Sequence, residues 1–232
     1  SIGHRERANL MDAIDTGWIS SQGRFVKEFE YQFATYHDRE ALAVSNGTVA
    51  LELALRALGI GPGDEVIVPN LTFAATINAV IHVGAAPIIC DIEQDSWGLN
   101  NTKLEELIGL NTKCVIAVHL YGAPCKIQKI KEICEKYNLW LVEDCAEAIG
   151  SRVDGKLVGK FGDAAAFSFF GNKTLTTGEG GMVITPHNKV YDRAILLRDH
   201  GMSAEKRYWH EIVGFNFRMT NLQAAIGVAQ FE

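Results

Sequence analysis

Short runs that are apolar throughout alternate with amphipathic stretches along most of the chain. The runs lie at residues 42–44, 65–69, 87–92, 113–122 and 139–144. Bounded by turn residues, they predict strands buried on both faces. Between them, apolar positions recur at helical spacing. Residues 4–16 predict an amphipathic helix and 17–23 a loop. Phe25, Phe29 and Phe33, four apart, mark the buried face of a second helix. Further helices are expected at 49–58, stopping at Gly59, at 72–82, at 103–108 with Thr102 as the cap, and along Ile127, Ile130, Ile133 and Cys134. Buried strands alternating with helices predict an α/β fold. Its sheet should be mostly parallel, with helices on both faces and right-handed crossovers.

After residue 150 the alternation stops. Residues 151–160, centred on Asp154-Gly155, read as a β-hairpin. Residues 164–170 and 182–184 read as strands and 189–197 as a helix, and Thr220 or Asn221 caps the last helix. The expected organisation is one large domain over 1–232, with N-terminal helices in 1–40 and the sheet in 41–232. Ligands of such sheets gather at the carboxyl ends of the strands. Three polar spots fall there: Ser45-Asn46-Gly47-Thr48, His119 with Tyr121, and Asp144.

Composition narrows the function classes. The chain has 232 residues, 47% hydrophobic, and a net charge of -6 without a run of Lys or Arg. That is enough for a substantial core and gives no reason to expect nucleic acid or an anionic membrane as a partner. No apolar stretch has the length of a membrane span. Five scattered cysteines show no Cys-x-x-Cys spacing, so no metal is expected and a reduced, cytoplasmic setting fits. The chain opens without Met and stops inside an apolar helical stretch, so a piece of a longer protein is expected. Fingerprints of other chemistry are absent: there is no Gly-x-Gly-x-x-Gly after the first strand, no phosphate-binding Walker loop and no Gly-x-Ser-x-Gly elbow.

The candidate chemistry centres on Lys173, which lies between the strands at 164–170 and 182–184 in a loop rich in Gly and Thr. A lysine held beside a core can be partly desolvated, which makes its amine a nucleophile towards carbonyls. The bland alternative is a solvated loop lysine. A pyridoxal phosphate at this edge would need four things, and the sequence offers each. Lys173 could supply the Schiff-base amine, and Asp144 an anion beside the pyridine nitrogen. Phe73 could stack on the ring, and the helix start at Gly47 and Thr48, with the Ser168 hydroxyl, could take the phosphate. Each has an ordinary reading too: Asp144 and Glu147 as helix-start acids, Ser45 to Thr48 as a plain cap, His119 and Tyr121 as polar residues near the surface.

Five segments resemble the DegT/DnrJ/EryC1/StrS family of nucleotide-sugar aminotransferases. They are Ser45-Asn46-Gly47-Thr48, Val142-Glu143-Asp144-Cys145-Ala146-Glu147, Phe167-Ser168-Phe169-Phe170-Gly171-Asn172-Lys173, Thr177-Gly178-Glu179-Gly180-Gly181 and Asn216-Phe217-Arg218-Met219-Thr220-Asn221. They run in family order over nearly the whole chain. The resemblance implies the fold type I aminotransferase large domain, with a seven-stranded, mostly parallel sheet and the C-terminal small domain missing. It implies pyridoxal 5'-phosphate as cofactor, held by Lys173 and paired with Asp144. Gly47, Thr48 and Ser168 would bind the phosphate, with Phe73 on the ring and Glu147 near the 3-hydroxyl. Apart from the resemblance, the strand-end position of His119 and Tyr121 makes them candidate substrate contacts. The resemblance also implies a homodimer with shared active sites, in which Asn216 or Arg218 reaches the neighbour's site. The substrates would be glutamate and a nucleotide-linked 4-keto-6-deoxy sugar, with GDP-4-keto-6-deoxymannose ahead of the dTDP or UDP glucose analogue. A deoxysugar dehydratase on this scaffold is disfavoured by Lys173, which such members can replace by His. A non-catalytic regulator is disfavoured by the lack of a basic DNA-reading segment.

Overall fold

The computed structural model describes residues 2–232. Helices α1 (His4–Asp15) and α2 (Arg24–His37) precede strand β1 (Glu40–Val44) and helix α3 (Gly47–Ala57). Then come β2 (Glu65–Pro69), α4 (Ala74–His82), β3 (Ala86–Cys90), α5 (Asn101–Glu106), β4 (Thr112–Val118), α6 (Ile127–Tyr137) and β5 (Trp140–Asp144). A hairpin of β6 (Arg152–Val153) and β7 (Lys156–Leu157) leads to β8 (Ala164–Ser168), β9 (Gly181–Thr185), α7 (Asn188–Arg198) and α8 (Asn221–Phe231). The seven-stranded sheet has the order β1-β9-β8-β5-β4-β2-β3. Only β9 runs against its neighbours. The other neighbouring pairs are parallel, as expected from wholly apolar strands.

Period-two alternation distributes the strand residues between two layers. Leu42, Val44, Val66, Val142 and Ala166 pack on α3, α4 and α7. On the other face, Ala41, Ala43, Phe167 and Met182 pack on α2 and α8, while Val115 and Leu141 meet α5 and α6. The three phenylalanines of α2 are fully buried as their spacing predicts, and Phe29 and Phe33 pack directly on Phe169.

Two local expectations change. The cap of α5 is Asn100, whose side chain accepts from the Lys103 N–H at 3.1 Å; Thr102 lies inside the helix. Residues 113–122 do not form one strand: β4 ends at Val118, and a 3₁₀ turn at Leu120–Gly122 follows. The hairpin turn does form, with positive φ at Asp154 (49°) and Gly155 (79°), as a tight primed turn requires.

His37 lies in the core under this scaffold. Its ring stacks on Phe33, Nδ1 donates to the Phe33 carbonyl, and Nε2 is buried without a partner among the described residues. Burial pushes its pKa down to about 4, so the folded protein holds it neutral. The unfolded chain protonates it first as pH falls, so its contribution is complete above its ordinary value and lost on descent towards about pH 4. That loss is about 3 kcal/mol. Denaturant unfolding followed across this range should show the slope in the wild type, and His37→Phe should remove most of it.

Candidate active site

Register brings the site together. Val44 on β1 pairs with Gly181 on β9, which pairs with Ser168 on β8. Val118 on β4 pairs with Asp144 on β5, which pairs with Ala166 on β8. The carboxyl ends of β1, β4, β5 and β8 therefore share one edge of the sheet. A cavity of about 640 Å³ opens there; Gly47, Thr48, Phe73, His119, Asp144, Glu147, Ser168 and Lys173 all border it.

At one end, α3 begins against β8 and β9. Asn46 caps the helix, its side chain accepting from the Val49 N–H at 2.9 Å. The Gly47 and Thr48 N–H groups lie in the first turn, where no intrahelical carbonyl can reach them. A Cβ on Gly47 would stand 2.6 Å from the Ser168 Cβ, and one on Gly181 would stand 2.5 Å from the Asn46 carbonyl oxygen. Glycine at both positions lets a hydroxyl and a helix N-terminus converge, an arrangement that suits an anion.

Asp144 forms the floor. It is 6% exposed; Oδ2 accepts from the Thr76 hydroxyl at 2.8 Å and Oδ1 from the Ala146 N–H at 3.1 Å. Burial raises its pKa above the ordinary carboxylate value, against both of these donors. Thr76 is fully buried, and its oxygen lies 2.7 Å from that of Thr72. Sequence reasoning did not single out Thr76. Its signal was a polar side chain four residues after Thr72, in the first turn of a mostly apolar helix.

Lys173 enters from the loop after β8, where its N–H donates to the Phe170 carbonyl. Its Nζ stands 3.2 Å from Oε1 of Glu147. The other oxygen of Glu147 accepts the Tyr121 N–H at 2.8 Å. Tyr121 holds φ at +52°, a conformation uncommon outside glycine and asparagine. Phe73, at the start of α4, is 75% exposed and free to cover a ligand.

Of the expected residues, Asn216, Arg218 and Tyr121 do not border the cavity, and His119 borders it with its side chain buried. The His119 side chain is fully buried, with Nε2 3.0 Å from Glu143 and Nδ1 3.3 Å from the Cys125 N–H. Asn216 and Arg218 lie outside this cavity. Arg218 is bound to Asp199 at 2.6 Å and to Asn216, at a bridge beside Val44. The Tyr121 ring is exposed and lies edge-on to Trp97. One grouping was not foreseen: His119, Glu143 and Cys145 place ligand-type atoms within 4.8 Å of one another. Burial pushes the Cys145 thiol up to about 12.

The model of the DegT/DnrJ/EryC1/StrS aminotransferase family matches residues 1–232. The chain belongs to this family. Within it, Phe169-Phe170-Gly171-Asn172-Lys173-Thr174 with Arg207-Tyr208-Trp209-His210 resembles GDP-perosamine synthase. The chain is 50% identical to the GDP-perosamine synthase of Vibrio cholerae, over 100% of this chain and 64% of that protein. It thus spans less than two thirds of the length of that curated relative. The solved aminotransferase of Psychrobacter cryohalolentis superposes with a TM-score of 0.96 at 36% identity, covering 100% of this chain and 62% of that one. The PMP-form of the putative sugar aminotransferase Spr1654 from Streptococcus pneumoniae superposes at 0.94 with 32% identity, covering 99% and 63%. The type I fold expected from sequence is thereby established.

Thr76→Val keeps shape and removes the hydroxyl that favours the ionised Asp144. The Asp144 carboxyl should titrate at still higher pH, read by NMR. Thermal unfolding should report a loss of about 1–3 kcal/mol, the cost of leaving a buried carboxylate short of a donor.

Proposed function

We propose that the protein is a pyridoxal phosphate-dependent sugar aminotransferase. It would move the amino group of glutamate to a nucleotide-linked 4-keto-6-deoxy sugar, with GDP-4-keto-6-deoxymannose as substrate and GDP-perosamine as product. The observation that carries this reading is the meeting of Lys173, buried Asp144 and the glycine-lined start of α3 in one cavity. The likeness to GDP-perosamine synthase supports the choice of sugar.

The residues fit the cofactor. Glycines 47 and 181 open a cradle at a helix N-terminus that a Cβ would fill. The first-turn N–H groups and the Ser168 hydroxyl would bind the phosphate there. Asp144, fixed by Thr76 and Ala146, would face the pyridine nitrogen, and a positive charge there would favour its ionised form against burial. Phe73 would cover the ring and exclude water. Pyridoxal phosphate, when bound, supplies the electron sink for transamination. Lys173 Nζ would anchor it and then carry protons at the reacting carbon. Glu147 is placed to hold the lysine ammonium, and would sit near the 3-hydroxyl.

The working unit in this proposal is a homodimer. Asn216 and Arg218, outside the cavity of their own chain, would serve the neighbour's site, and the exposed Tyr121 ring would meet substrate. Among the described residues no helix is long and apolar enough to cross a membrane, and the five cysteines are unpaired. Both observations agree with a cytoplasmic enzyme, whose amino sugar would serve lipopolysaccharide O-antigen.

The test uses full-length protein with pyridoxal phosphate, glutamate and a panel of nucleotide ketosugars. Turnover of GDP-4-keto-6-deoxymannose is expected. Preference for a dTDP or UDP sugar would overturn the substrate, and no cofactor uptake would overturn the enzyme reading. Lys173→Ala should abolish covalent cofactor retention and turnover. Asp144→Asn should keep the fold and lower kcat by on the order of 100-fold, as loss of one preorganised charge does elsewhere.

A further inference from the structure

Strand β5 ends in two adjacent carboxylates, and alternation sends them to opposite faces. Asp144 faces the cavity. Glu143 faces the other layer and is fully buried. A buried charge is expensive unless every lone pair is used. Glu143 meets that condition. Oε1 accepts from the Phe161 N–H at 2.7 Å and the Gly162 N–H at 2.6 Å; Oε2 accepts from the Gly159 N–H at 2.8 Å and lies 3.0 Å from His119 Nε2. These four partners use the capacity of an ionised carboxylate. Burial opposes that charge, but His119 and the backbone donors hold the Glu143 pKa below its ordinary value. The group has no oxygen left for a metal or a substrate.

His119 is the second half of the device. Its Nδ1 faces the Cys125 N–H, which makes Nδ1 the acceptor and Nε2 the donor to Glu143. Its own N–H donates to the Asp144 carbonyl at 3.1 Å. One residue therefore grips both acids of β5, Glu143 by its side chain and Asp144 by its backbone. Immediately beyond His119 is the turn that carries Tyr121, whose N–H binds Glu147, which in turn binds Lys173. Beyond the 159–162 segment is β8, which ends at Ser168. That segment needs its glycines: a Cβ on Gly162 would stand 2.6 Å from the Leu141 carbonyl oxygen, and Gly159 has φ of +86°.

We propose that Glu143 and His119 form a buried latch that positions the cofactor-facing groups at the ends of β4, β5 and β8 without touching any ligand. Glu143 is a positioning residue: it locks three segments into one register, so that Asp144, Glu147 and Ser168 are presented together. This inference rests on the cofactor reading above.

The test is a titration of full-length apoprotein with pyridoxal phosphate, comparing wild type, Glu143→Gln, His119→Gln and Leu104→Ala. Leu104 is buried in α5 away from the cavity and serves as a control for simple destabilisation. Glu143→Gln turns an amide towards the backbone donors. It should weaken cofactor binding about tenfold or more, as expected when a charged hydrogen-bond acceptor is lost. It should also shift the long-wavelength absorption band of the bound cofactor and lower kcat, with little change in KM for glutamate. Leu104→Ala should lower thermal stability and leave the band in place. His119→Gln keeps a donor for Glu143 and carries the test if Glu143→Gln does not fold. It should weaken binding roughly threefold and shift the band in the same direction, consistent with loss of one neutral hydrogen bond. Variants matching the wild type in affinity and band would overturn the latch while leaving the cofactor reading intact. A wild-type protein that takes up no cofactor would overturn both.

Discussion

The start of α3 lies so close to β8 and β9 that only glycine fits at residues 47 and 181, and the rest of the site depends on that approach. It brings the open N–H groups of a helix to the Ser168 hydroxyl at the level where β1, β9 and β8 pair. A methyl group at either glycine would force backbone or side chain apart by a fraction of an ångström or more. The packed layers on both sides leave no slack to absorb such a shift.

The end of β5 shows how one strand serves two purposes. Its Glu-Asp pair divides between a fully satisfied structural carboxylate and one whose charge burial disfavours. The difference is environmental. Glu143 has four hydrogen-bond partners, whereas Asp144 has two and borders a cavity. An acid held this way is suited to a cationic partner, which would stabilise its ionised form far more strongly than water could in the same place.

Much of the fold was legible because it rests on local patterning. Phe25, Phe29 and Phe33 gave a helix face, the uninterrupted apolar runs gave parallel strands, and Asp154-Gly155 gave a hairpin. The site was partly legible for a different reason. Gly47, Asp144 and Ser168 fall at or just beyond strand ends, where ligands of such sheets gather, and Lys173 in the loop after one, so their convergence could be anticipated. Thr102 was read as a cap because Thr is a good one, yet Asn100 begins the helix two residues earlier. His119 was read as a substrate contact because it follows a strand. Its burial depends on Glu143 and Cys125, which are near it only after folding.

The sequence by itself determined most of the order and type of the elements and offered candidate residues that line one cavity, because periodicity and side-chain chemistry are local properties. The tertiary structure decided which of two neighbouring acids faces the cavity, which threonine holds it, and that His119 works inside the core. Those outcomes follow from strand register and from the requirement that each buried polar group find a partner, and the partners come from segments far apart in the chain.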